Sequence, residues 1–111
     1  MNRRIRLATL LIPALSGCFS PDKPSISSDD PSLKIPAIRE SAKSHDTQAV
    51  RQLVKDLDSD DPAVRFYAIE GLKEITGNTL GYRYYDDEIE RKPALDRWKK
   101  WLNERDATTR R

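Results

Sequence analysis

Residues 57–75 read LDSDDPAVRFYAIEGLKEI, and this stretch decides the fold. A helix is predicted to begin at Pro62, because the Asp61 side chain can accept hydrogen bonds from the free amides of the first turn. Proline at the first helical position loses no hydrogen bond. Apolar residues then recur at intervals of three and four along one helix face: Val64, Ala68, Leu72 and Ile75, with Ile69 beside them. Gly77 is typical of a left-handed helix stop.

A second amphipathic helix is predicted upstream of this turn, over residues 47–57, with Asp46 as its N-cap. It carries the same spacing of apolar residues at Ala49, Val50, Leu53, Val54 and Leu57. Two helices joined by a short polar turn form an antiparallel hairpin. The sequence therefore predicts an all-α fold.

The segment AVRQLVKDL (49–57), the Asp-rich turn and the segment PAVRFYAIEGL (62–72) together resemble one near-complete HEAT repeat. The matching positions are Leu53, Leu57, Asp61, Pro62, Val64, Arg65, Ala68 and Leu72. In this family, helix pairs stack into an α-solenoid. The resemblance implies short antiparallel hairpins stacked as a minimal solenoid. It also implies that Val64 lies in the core, and that Asp61 and Arg65 form a ladder between turns and neighbouring repeats.

The first seventeen residues are predicted to be a signal peptide. Arg3, Arg4 and Arg6 form a basic start, and residues 7–14 follow as an apolar run. This run is well short of the roughly 20 residues that span a bilayer. Of the 20 basic residues of the chain, 17 remain without these three arginines, against 18 acidic residues. That balance does not favour a nucleic-acid partner.

The next residues, Leu15-Ser16-Gly17-Cys18, resemble the bacterial lipobox. The resemblance implies that the Cys18 thiol receives a diacylglyceryl group as a thioether, and that cleavage and N-acylation follow on the same residue. Several acyl chains suffice for stable membrane anchoring. Phe19 stands where an aspartate favours inner-membrane retention in enteric lipoproteins, so the periplasmic face of the outer membrane is the predicted location. An ordinary signal peptide followed by a free or intermolecular thiol is the alternative.

Four regions are predicted in all. Residues 1–17 form the signal peptide, 18–34 the lipidated N-terminus and a flexible tether rich in Pro, Ser and Asp, 35–102 the helical domain, and 103–111 a disordered tail. Within the domain, a short helix is expected over 35–44 and a loop over 78–87. A last helix is expected to begin between Ile89 and Lys92, because Pro93 favours a first turn. Its apolar stripe comprises Ala94, Leu95, Trp98, Trp101 and Leu102.

Fewer than two repeats are present, whereas a solenoid needs about three before its apolar faces are covered. Either the tyrosine loop and the tryptophan helix fold back as a cap, or the open faces bind another protein. The candidate contact residues are Tyr82, Arg83, Tyr84, Tyr85, Trp98 and Trp101. Tryptophan, tyrosine and arginine dominate binding hot spots. Both alternatives remain open at this point.

The sequence offers few residues for chemistry. His45 is the single histidine and Cys18 the single cysteine, which excludes a His/Cys zinc site and an internal disulfide. The acidic run from Asp58 lacks the Gly and Glu of a calcium loop, since Ala63 and Ile69 occupy those positions. No phosphate loop or nucleophile motif is present. No metal, small-molecule substrate or cofactor is therefore predicted, apart from the lipid on Cys18.

The resulting hypothesis is a non-enzymatic envelope lipoprotein, acting as an adaptor or scaffold. Its partners would be the membrane, through the anchor, and another envelope protein, through helix faces. Two alternatives remain: a structural lipoprotein that self-associates through its open repeat ends, and an enzyme of unknown type.

Overall fold

The computed structural model describes residues 22–111, and every regular element among them is a helix. The elements are α1 (Pro31–Lys43), a 3₁₀ turn (Thr47–Ala49) leading into α2 (Val50–Asp56), α3 (Pro62–Thr76) and α4 (Glu88–Thr109). The predicted all-helical class is thus confirmed for this part of the chain. The predicted signal peptide and Cys18 lie outside the described residues.

Local capping sets the bounds of α3, as predicted. The Asp61 carboxylate accepts a hydrogen bond of 2.8 Å from the amide of Ala63, and Pro62 is the first helical residue. Gly77 ends the helix in the left-handed region, with φ of +78°. Asp46 caps the 3₁₀ turn before α2 in the same way, by accepting from the amide of Gln48 at 3.0 Å.

Helix α3 lies against both α1 and α2, and α2 also contacts α4. The core is formed by the facing stripes of the four helices: Ile38, Val50, Leu53, Leu57, Ala68, Leu72, Ala94, Leu95, Trp98 and Leu102. Gly71 permits close packing at the centre, since a Cβ there would lie 3.3 Å from the Cδ1 of Leu53 and 3.5 Å from the Cγ2 of Ile38. The loop between α3 and α4 packs against one side of this core through Leu80, Tyr82 and Tyr84.

The first helix begins four residues earlier than predicted, at Pro31 instead of residue 35. Asp30 caps it, accepting from the amide and the hydroxyl of Ser32, and these bonds lower the pKa of Asp30. Residues 31–34 are therefore helical and not part of a flexible tether. Asp30 and Pro31 give this helix the same local start signal that Asp61 and Pro62 give α3, and the buried ion pair of Lys34 with Asp56 of α2 holds its first turn in place.

The last helix begins at Glu88, ahead of the predicted start between Ile89 and Lys92. Asp87 is the N-cap, and its carboxylate accepts from the amide of Glu90 at 2.8 Å. Pro93 consequently stands beyond the first turn. Because Pro93 has no N–H, the carbonyl of Ile89 lacks a helical hydrogen-bond donor. Ile89 is 83 % exposed, so water can donate a hydrogen bond to this carbonyl.

The predicted disordered tail, residues 103–111, is instead mostly helical, because α4 continues to Thr109. Arg105 donates to the carbonyl of Thr47 at 2.9 Å, and its guanidinium lies 5.6 Å from the ring centre of Trp101. Asp106 pairs with Arg51 of α2. These contacts keep residues 103–109 helical, although the composition of this segment predicts a disordered end.

Candidate functional site

The loop between α3 and α4 covers one side of the core with a tyrosine. Tyr82 is only 5 % exposed, and its hydroxyl donates to the carbonyl of Leu57 at 2.7 Å. Leu57 caps the C-terminus of α2, where helical carbonyls lack partners. Tyr82 thus fills the core and satisfies the end of a helix.

Four further side chains bind the loop, and one of them, Arg65, also binds the turn before α3. Arg91 donates to the carbonyl of Asp86 at 2.7 Å. Arg65 donates to the carbonyl of Ser59 at 2.7 Å and to that of Tyr84 at 3.0 Å. The indole N–H of Trp98 donates to the carbonyl of Thr79 at 2.9 Å. Arg97 donates to the carbonyl of Leu80 at 2.7 Å. The loop is therefore attached to α3 and α4 along its length.

Within residues 22–111, Arg65 makes no hydrogen bond to the Asp61 carboxylate, and the ladder to a neighbouring repeat that the HEAT resemblance implies stays a prediction. Both of its hydrogen bonds among residues 22–111 go to backbone carbonyls, and the Asp61 carboxylate caps its own helix. Val64, by contrast, is buried, as the same resemblance implies. The guanidinium has five donors in a rigid fork, which suits it to linking two backbone segments.

Four aromatic rings of this loop and α3 form a row, here called the aromatic surface: Phe66, Tyr67, Tyr84 and Tyr85. Tyr85 is exposed, the other three are half-buried, and Tyr67 and Tyr84 also pack against the core. Phe66 lies 5.1 Å from Tyr67 and 5.0 Å from Tyr84, and Tyr84 lies 5.3 Å from Tyr85. Each pair meets edge to face, the geometry that aromatic quadrupoles favour. The guanidinium of Arg83 lies 5.9 Å from the ring centre of Tyr85.

The predicted contact residues separate into three groups. Tyr82 and Trp98 are buried, so they pack the core and offer no surface to a partner. Tyr85 is exposed and Tyr84 is half-buried, and both belong to the aromatic surface, with the exposed Arg83 beside Tyr85. Trp101 is half-buried and contacts Trp98, with ring centres 5.5 Å apart, and not the aromatic surface.

Sequence reasoning missed Phe66 and Tyr67 as members of this surface. Both lie off the buried stripe of α3, and both are half-buried. Their position beside the buried stripe is the signal that could have identified them, because an aromatic ring there can pack against a segment other than the one that faces the stripe. The neighbours of Phe66 come partly from the loop, whose path the sequence does not define.

Burial raises the pKa of Tyr82 to about 12, against an ordinary value of 10.0. The positive charges of Arg91 and Arg65 oppose this rise but do not cancel it. The phenol therefore stays in its neutral form, and its hydroxyl can donate a hydrogen bond to the carbonyl of Leu57. Its place among the core residues makes it structural and not a proton-transfer group.

Replacing Tyr82 by phenylalanine is expected to lower the free energy of unfolding by about 1–3 kcal/mol, because the buried carbonyl of Leu57 loses its donor. Urea titration followed by circular dichroism at 222 nm measures this. Tyr85→Phe is the matched control, since Tyr85 is 66 % exposed and its change should be close to zero. Equal effects of the two substitutions would contradict the hydrogen bond.

The same variant tests the pKa. Folded Tyr82 keeps its proton between pH 10 and 12, whereas the unfolded chain releases it, so the stability that Tyr82 contributes is complete below pH 10 and falls as pH rises towards 12. Thermal unfolding across this window should show a fall in wild-type stability that is smaller in Tyr82→Phe. Parallel pH profiles for the two proteins would refute the raised pKa.

Within residues 22–111, no three His, Cys, Asp or Glu side chains are grouped closely enough to hold a metal ion. His45 is an exposed turn residue with φ of +51°. None of the helices in this part of the chain combines the length and apolar character needed to cross a bilayer. Comparison with family models, curated proteins and solved structures found no match.

Proposed function

We propose that the chain is a lipid-anchored protein of the bacterial cell envelope, whose helical domain acts by contacting another envelope protein. The observation that carries the proposal is the sequence Leu15-Ser16-Gly17-Cys18 behind a basic and then apolar leader. In the lipoproteins that this pattern resembles, the cysteine carries the acyl chains. Such an anchor raises the local concentration of the domain at a membrane, with the periplasmic face of the outer membrane as the proposed location.

We also propose that α2 and α3 form a HEAT-like unit, with α1 as part of a preceding one. Three observations support this. Asp61 and Pro62 begin α3 directly after a short turn, Val64 is buried, and α3 packs against both α1 and α2. Helix pairs of this kind commonly serve as protein-binding scaffolds.

The aromatic surface is the proposed contact area. Tyr85 is its exposed member, at 66 %. Arg83 stands beside Tyr85 and pairs with Asp86 at 2.9 Å. Tyrosine supplies a large contact area at low entropic cost, and tyrosine and arginine are both enriched among the residues that dominate interface energies.

A role without catalysis is proposed because the buried charged side chains are used structurally. Lys34 and Asp56 pair with each other at 2.8 Å. Arg65 and Arg91 donate to backbone carbonyls of the turn and of the loop. These bonds join segments of the chain, which is the task of a rigid scaffold.

Changing Cys18 to serine tests the anchor, because a hydroxyl cannot take the thiolate's part in forming the thioether. Wild-type protein should sediment with membranes and leave them only in detergent, and globomycin should cause its unprocessed precursor to accumulate. The Cys18→Ser protein should remain unacylated, as measured by intact mass. A wild-type chain whose mass lacks acyl groups would contradict the proposal.

Site-specific photocrosslinking in intact cells tests the contact surface. A photoreactive residue at position 85 should capture a defined envelope protein, whereas the same residue at position 40 should not. Glu40 is the matched control, since it is exposed on α1 and lines a different groove. Identical products at both positions would contradict a specific surface, and a product containing two copies of this chain would favour the self-associating alternative.

A further inference from the structure

Residues 25–30, here called the N-terminal strap, are bound to the helices. The amide of Ser25 donates to the carbonyl of Leu33 at 3.1 Å, and the ammonium group of Lys34 donates to the carbonyl of Ile26 at 2.8 Å. The half-buried side chain of Ile26 packs against the core. The chain is therefore held from Ser25 onwards, although its composition predicts a flexible tether up to residue 34.

The strap lies at one end of the helical domain. The Lys34 ammonium that binds it also lies 2.8 Å from the Oδ1 of Asp56, at the end of α2. Ser27 of the strap lines a cleft together with Ser59 in the turn before α3. This end, where α1 and α3 begin and α2 terminates, is here called the proximal end. Gly77, beyond the last residue of α3, lies about 22 Å from it along that helix.

The exposed part of the aromatic surface lies at the proximal end as well. One guanidinium, that of Arg65, donates to the carbonyl of Ser59 at 2.7 Å and to that of Tyr84 at 3.0 Å. The turn before α3 and this part of the loop are therefore neighbours. Tyr85, the exposed member of the aromatic surface, follows directly. The strap and Tyr85 thus occupy the same end of the domain.

An acyl anchor on Cys18 has a short reach to this end. From Cys18 to Ser25 the chain spans at most about 25 Å, whereas a tether that is free up to residue 34 would span up to about 55 Å. The shorter length is an upper limit for any path of the intervening residues. An anchored domain therefore keeps its proximal end near the bilayer, and the far end of α3 can lie about 20 Å further away.

Charge distinguishes a protein from a lipid as the group that meets this end. Exposed carboxylates stand there, among them Asp58 and Asp60 in the turn before α3 and Glu88 at the start of α4. Like charges repel, so these carboxylates oppose the entry of this end among anionic lipid headgroups. A protein surface that combines apolar side chains with lysine or arginine complements both the carboxylates and the aromatic rings.

We propose that the strap turns the proximal end towards the membrane, and that the aromatic surface contacts a protein embedded in that same membrane. The contact area on the partner lies next to the bilayer and combines apolar side chains with lysine or arginine. This inference rests on the proposed acylation of Cys18. It adds to the proposed function the place and the chemistry of the partner.

Energy transfer on vesicles tests the orientation. Acylated full-length protein carries a donor dye on p-azidophenylalanine, either at position 85 or at position 78, an exposed position just beyond α3. The vesicles contain phosphatidylcholine and phosphatidylglycerol, and their headgroups carry the acceptor dye. Flotation tests the anchor separately. A chain that does not float contradicts the anchor and the inference with it, whereas a floating chain with equal transfer from both positions contradicts the orientation alone.

Transfer from position 85 should exceed transfer from position 78 by about twofold or more, because α3 separates the two positions by about 20 Å and transfer falls steeply with height. Insertion of about twenty Gly and Ser residues between Lys23 and Pro24 adds about 25 Å of flexible chain on average. The insertion should lower transfer from both positions and bring their ratio towards one. An unchanged ratio would contradict a role of the short connection.

Photocrosslinking at position 85 in intact cells tests the partner. The captured protein should have a membrane-spanning region, and its crosslinked residue should lie next to that region. A captured protein without such a region, or a product of two copies of this chain, would overturn the proposal. So would a blue shift of an environment-sensitive dye at position 85 on vesicles alone, because it would identify lipid as the group that the aromatic surface contacts.

Discussion

Replacing Lys34 by methionine is expected to lower the free energy of unfolding by about 3–5 kcal/mol, because it leaves the Asp56 carboxylate buried without its counter-charge. The ammonium group lies 2.8 Å from the Oδ1 of Asp56, and both side chains are less than 10 % exposed. A helical domain of this size has only a few kcal/mol of stability in total. Most of the protein should therefore lose its helical signal at low urea concentration.

Two further variants separate the ion pair from simple packing. Lys34→Met/Asp56→Leu should recover most of the lost stability, since an apolar pair of similar volume often replaces a buried ion pair without loss. Lys43→Met, at an exposed position at the end of the same helix, should change stability by less than about 0.5 kcal/mol. Urea titration at 222 nm measures all three. Equal effects of Lys34→Met and Lys43→Met would contradict a stabilising pair.

Changing Trp98 to alanine is expected to cost about 3–5 kcal/mol, because it removes the largest fully buried side chain and leaves a cavity. The indole also donates to the carbonyl of Thr79 at 2.9 Å, so the substitution releases one attachment of the loop. Near-ultraviolet circular dichroism should lose the contribution of Trp98 and keep only that of Trp101, and the midpoint of urea unfolding should fall.

The Trp98→Phe variant separates the loss of packing from the loss of the hydrogen bond to Thr79. The phenyl ring retains much of the packing but lacks the N–H, so its cost should be about 1–3 kcal/mol. Trp101→Ala is the matched control on the same helix, and a smaller loss is expected because Trp101 is only half-buried. A loss at Trp101 that equals the loss at Trp98 would show that the core is not centred on Trp98.

The start of α3 illustrates what local sequence can predict. Asp61, Pro62 and Gly77 act within one or two residues of their own positions, through a cap, a fixed φ and a left-handed stop. The apolar spacing of the following residues then selects the buried face. Because none of these effects requires a distant partner, the helix and its orientation could be predicted without the structure.

The candidate site was predictable only in part. Sequence reasoning identified the tyrosine loop and named Tyr82, Tyr84 and Tyr85 together. It could not separate them, because residue type alone does not tell a core tyrosine from a surface one. That separation depends on the carbonyl of Leu57, which lies 25 residues away in the chain and bonds Tyr82.

Sequence by itself determined the helical class, the bounds of α3 and the existence of the loop, since capping and periodicity are local properties. The tertiary structure alone decided how far α4 extends and which aromatic residues reach the surface, whereas the start of α1 also has a local signal in Asp30 and Pro31. Lys34 is buried because it pairs with Asp56 of α2. The end of α4 is helical because Asp106 pairs with Arg51 and Arg105 donates to the carbonyl of Thr47. Such contacts join residues far apart in the chain, so no local pattern can encode them.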